Sequence, residues 1–99
     1  MAQRHDRVAR GHALSRQQQV LEAFVVRLVD LSHRTATNSG SGFLKVGRAE
    51  AIAIGNEINE CAGFAGMVYV CDRLRDKQLT PGAARELEFV WDGIGEWRG

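Results

Sequence analysis

Histidine and cysteine, the side chains most often used as general base and thiol nucleophile, are few in this sequence. The candidate general bases are the histidines His5, His12 and His33, and the candidate thiol nucleophiles are Cys61 and Cys71. A histidine base needs an acid to orient one ring nitrogen and a nucleophile against the other. None of the three has such neighbours along the chain, so all read as solvated imidazoles and no catalytic residue is assigned. The cysteines lack CxxC spacing, and both read as small core hydrophobes. A disulfide between them would require packed helices to bring the two together.

The nearest approach to a metal set is Glu57, Glu60 and Cys61 on one helix, with His33 added from another. Di-metal helical bundles use inward glutamates and Glu-x-x-His pairs. No such pair occurs here, and the helical angles turn both carboxylates outward, so neither a metal nor any other cofactor is expected. The run Gly40-Ser-Gly42-Phe-Leu-Lys45-Val-Gly47 mixes glycines and a lysine as a phosphate cradle would. A P-loop, however, needs GxxxxGK[ST] directly after a strand. Here Lys45 precedes Gly47 and no strand is predicted, so the run reads as a loop.

Binding chemistry is better represented. Arg4, Arg7, Arg10 and Arg16 could contact phosphates without reading sequence, which makes a non-specific nucleic-acid accessory protein one functional alternative. A helix-turn-helix reading fails. Its recognition helix would begin Phe64-Ala-Gly-Met-Val-Tyr-Val, with almost no polar side chains for base edges. Two aromatics lie off the apolar faces of their helices: Phe89, about 160° from Leu87 around the helix, and Tyr69. Exposed aromatics are enriched at interfaces, so Phe89 and Tyr69 are the candidate partner-binding residues. Charge is also polarised. Up to Arg48 eight bases face three acids, a net +5, and from Ala49 onward five bases face nine acids, a net −4. Such a molecule is suited to head-to-tail docking or to steering a charged partner. The expectation is a protein-protein interaction or assembly module, self-associating or a subunit of a larger complex. An enzyme whose site is invisible in sequence is the remaining alternative.

The elements that would position these residues are helices. Ser15 is a suitable N-cap for a first helix running to about His33, whose buried face is Val20, Leu21, Phe24, Val25, Leu28, Val29 and Leu31. Thr35 to Gly42 is made of turn-forming residues. A second helix from beyond Gly47 to about Ala62 would bury Ala51, Ile54, Gly55, Ile58, Cys61 and Ala62. On that face Ala51 and Gly55 suggest the close approach of another backbone. Gly63 suits a left-handed helix end. A third helix to about Lys77 would then bury Phe64, Met67, Val68, Val70, Cys71 and Leu74. Thr80-Pro81 is a helix start signal, and a fourth helix from Pro81 would gather Ala83, Leu87, Val90, Trp91, Ile94 and Trp97 on one side, loosened by Gly93 and Gly95.

The predicted fold is all-α, a compact bundle of about four helices with a central helical hairpin. Length and composition suit one ordinary globular domain over 15–99, preceded by a basic tail over 1–14. The longest apolar stretch, Ala23 to Val26, is far short of the roughly 20 residues of a membrane span. No secretory signal pattern opens the chain, so a cytoplasmic location is expected. The stretch Ile54-Gly55-Asn56-Glu57-Ile58 through Gly63-Phe64 resembles the first helix and turn of a tetratricopeptide repeat. That resemblance implies helical-hairpin packing and no more, because no copy at a period of about 34 residues flanks it.

Overall fold

Ser15 and Gln18 start the first helix by satisfying one another. Ser15 Oγ accepts from the Gln18 amide and Gln18 Oε1 accepts from the Ser15 amide, both at 3.1 Å, so two backbone donors that a helix start leaves unpaired are answered. The computed structural model describes residues 15–36, 42–76 and 82–98. Within them the chain forms α1 (Arg16–Thr35), α2 (Arg48–Asp76) and α3 (Ala83–Val90), with no strand among the described residues. The basic tail with Arg4, Arg7 and Arg10, the centre of the glycine and serine loop, and the Thr80-Pro81 signal lie outside the described residues.

The described residues thus hold three helices rather than about four. The expected second and third helices form one element, bent at Gly63, whose φ of 68° and ψ of −163° are non-helical. That combination is accessible essentially to glycine alone, and its ψ differs from the left-handed helical conformation expected there. The bend is sharp. Gly66 approaches Ile58 so closely that a Cβ on it would lie 3.3 Å from Ile58 Cγ2. In a straight helix eight residues span about 12 Å. α3 starts at Ala83 rather than Pro81, from Gly82 in a left-handed conformation without a side-chain cap.

Ion pairs record how α1 lies on α2. Arg27 binds Glu57 through two 3.0 Å hydrogen bonds, and Arg34 reaches Glu50 at 3.0 Å. Seven residues forward on α1 correspond to seven backward on α2, so the helix and the first arm of α2 run antiparallel. Extended straight, that register would set Glu22 opposite residue 62. Instead Glu22 meets Tyr69 and Arg73, because the arm beyond Gly63 folds back along the start of α1. The Arg27–Glu57 and Arg34–Glu50 pairs are solvent-exposed, so they fix register more than stability.

Stability comes from one core: Leu21, Phe24, Val25, Leu28 and Leu31 of α1, Ala51, Ile54, Ile58, Met67, Val70, Cys71 and Leu74 of α2, and Ala83, Leu87 and Val90 of α3. Trp91, Ile94 and Trp97 complete it from turns beyond α3, where Gly93 and Gly95 have positive φ. Phe43, fully buried from the turn before α2, was not among the expected core residues. Conversely Val20 and Phe64 are each 43% exposed and Cys61 is exposed, although all three were expected inside. Gly55 does meet a close neighbour, but the neighbour is an indole rather than a backbone. A Cβ there would lie 2.4 Å from Trp91 Nε1, which donates to the Ala51 carbonyl at 2.9 Å.

Candidate interaction site

Phe89 stands on the outer side of α3, 57% exposed, while Leu87, Val90 and Trp91 close the core beneath it. The period of 3.6 residues forces this division: a helix that buries 87, 90 and 91 must turn 89 outward. The other strongly exposed aromatic, Phe64, rests against Trp97 with ring centroids 5.7 Å apart. Phe89 has no ring partner among the described residues.

Tyr69 is placed differently from Phe89. It is half-buried, and its hydroxyl donates to Glu22 Oε2 at 2.7 Å, while Arg73 Nε donates to the same oxygen at 2.7 Å. The hydrogen bond to the carboxylate, then burial, holds the Tyr69 hydroxyl above its ordinary pKa. Tyr69 lines a cleft of about 190 Å³ between the start of α1 and the second arm of α2, with Gln17, Gln18, Leu21, Ala62, Ala65 and Gly66. Phe89 and Tyr69 are therefore not parts of one patch. Tyr69 points to α1, whereas Cys71, two residues or about 200° on, points to α3, its Sγ 3.8 Å from the Ala84 carbonyl. The cleft and α3 occupy opposite sides of the same arm.

Of the four arginines expected to meet nucleic acid, Arg16 is the one within the described residues; it is exposed and makes no ion pair among them. His33 is exposed near the end of α1. Its neighbour Ser32 is fully buried, and Ser32 Oγ has no hydrogen-bond partner among the described residues. No group of three histidine, cysteine or acidic side chains able to hold a metal occurs among the described residues. Glu57 is held below the usual carboxylate range by its hydrogen bonds from Arg27. No described helix is long and apolar enough to cross a membrane.

Both cysteines are free, and they differ sharply. Burial pushes the Cys71 thiol up to about 11, whereas Cys61 faces solvent. In native protein a thiol reagent is expected to modify one cysteine per chain rapidly, and the second only as fast as the molecule opens. Peptide mapping that found Cys71 labelled first would contradict this placement. The raised pKa also fixes a sign. Stability linked to Cys71 is full below the ordinary thiol range and falls as pH climbs from there through about 11. Cys71→Ala should remove that part of the alkaline loss seen in denaturant titrations.

Comparison with models of known protein families, with curated proteins and with solved structures finds no match to any of them.

Proposed function

We propose that this chain is a small helical assembly module that associates with copies of itself through the outer face of α3. The observation that carries the reading is Phe89, 57% exposed and without a ring partner among the described residues, on a short helix whose opposite face is fully committed to the core. A solvated phenylalanine contributes little to its own fold, whereas an aromatic buried in an interface is a typical hot spot.

Phe89→Glu tests this. Sedimentation equilibrium of the full chain should show association weakened about 30-fold or more, the equivalent of about 2 kcal/mol. Far-UV circular dichroism and thermal unfolding of the monomer should stay nearly unchanged. A variant that remains associated would retire this surface.

A further inference from the structure

We propose that Gly63 is the hinge of an exchange between two copies of this chain. At the hinge α2 straightens, and its second arm, with α3 and the turns after it, packs on α1 and the first arm of the other copy, which returns the same unit. The exchange makes no use of Phe89, so it stands apart from association through the outer face of α3. The hinge is the first argument. Gly63 is the one non-helical residue within Arg48–Asp76, and turning its φ of 68° and ψ of −163° to helical values makes α2 a single straight helix of 29 residues. Side chains do not pin the bend, since a Cβ on Gly63 would meet nothing within 4 Å beyond its own stretch of helix. A link this short, held in a conformation that glycine alone adopts readily, is of the kind that invites exchange.

The division of contacts is the second argument. Each unit carries ties of its own: Arg27 to Glu57 and Arg34 to Glu50 in one, Arg75 to Glu88 and Trp97 to Phe64 and Trp91 in the other. Those that cross between the units include Glu22 to Tyr69 and Arg73, Trp91 to Ala51 and Gly55, and Asn59 against Gly95. None of these depends on the covalent link at Gly63, so a second copy can supply each with the same geometry. Opened alone, a chain would expose both faces of its core, Val25 and Ile54 on one and Val70 and Trp91 on the other, all fully buried in the closed form. That apolar surface is what requires the second copy. The closed and exchanged forms therefore differ mainly at the hinge and in concentration, the tethered units of one chain meeting at an effective concentration on the order of millimolar. Glycine at 63 keeps the balance with the closed form, because it tolerates the bend and weakens a straight helix.

The test is made in full chains carrying Phe89→Glu, so that contact through α3 does not contribute. Gly63→Ala penalises the bend and favours the straight helix, which should shift the balance about 30-fold or more for each chain and roughly a thousandfold for the two hinges of a dimer. Sedimentation equilibrium at micromolar concentration should then read twice the 10.9 kDa chain mass. A second pair of variants tests the exchange without relying on the hinge. Glu22→Arg in one chain and Arg73→Glu in another each set like charges together in a closed copy, whereas in an exchanged dimer of one chain of each kind every α1 meets an oppositely charged arm. Unfolded in urea, mixed in equal amounts and refolded together, with and without Gly63→Ala, the two should form that mixed dimer in preference to anything either forms alone. A Gly63→Ala chain that folds and stays monomeric, or a mixture with no preference for the mixed dimer, would overturn the exchange. If Gly63→Ala fails to fold, the mixture without it decides. Loss of mass caused by Phe89→Glu alone bears on the α3 contact and not on the exchange.

Discussion

Trp91→Ala is expected to destabilise the protein by about 3–5 kcal/mol, the cost of emptying a large aromatic site in a core. Trp91 is fully buried and joins two parts of the chain far apart in sequence: its ring lies against Gly55, and its Nε1 donates to the Ala51 carbonyl at 2.9 Å. It also packs edge-on against Trp97, with centroids 5.3 Å apart. Small domains have total stabilities at the low end of about 5–15 kcal/mol, so the variant should be largely unfolded well below the melting temperature of the unaltered chain. Trp91→Phe keeps a ring in the site and loses the hydrogen bond, for which about 1–2 kcal/mol is expected. Urea titrations followed by far-UV circular dichroism would measure both. Near-equal losses would mean that the hydrogen bond, and not the filling of space against Gly55, dominates at this site.

Phe43→Ala is the second large effect, again about 3–5 kcal/mol. Its interest lies in the contrast with its neighbours. Phe43 is fully buried, while Leu44 is 41% and Val46 80% exposed. The turn is closed by bonds from the Lys45 and Gly47 amides to the Gly42 carbonyl, and Gly42 has φ +88° with a Cβ position 2.2 Å from the Thr35 carbonyl oxygen. The backbone that aims Phe43 inward therefore requires glycine at 42. Leu44→Ala and Val46→Ala should each change stability by less than about 0.5 kcal/mol, as surface truncations do. If all three substitutions cost alike in a urea titration, Phe43 is not the anchor of this turn.

These two sites also show where the sequence stops being readable. The start of α1 was legible, because a capping box is a local bargain between Ser15 and Gln18 that needs no partner elsewhere. The outward turn of Phe89 was legible for a similar reason: Ala83, Leu87, Val90 and Trp91 gather on one side of the helix and leave Phe89 on the other. Phe43 was not, since a lone aromatic in a run of glycines and serines has no periodicity to betray burial. Cys61 and Phe64 were assigned to the core from the helical angles of two separate helices meeting at Gly63. Both lie at that junction, within two residues of Gly63, and are exposed. Tyr69 was read as a free aromatic because Glu22, its hydrogen-bond partner, lies 47 positions away.

What the sequence determined by itself is the all-helical character, the apolar stripes of α1 and α3, the special backbone role of Gly63 and the outward position of Phe89. All of these follow from interactions within a few residues, where period and side-chain type are sufficient. The tertiary structure decided the rest: that the expected second and third helices form a single bent element, that Gly55 accommodates an indole, that Phe43 is core, and that Tyr69 borders a cleft on the far side of the arm from α3. Those features depend on which distant surfaces meet after the chain bends, and that choice is made by the summed packing of the core rather than by any short stretch of residues.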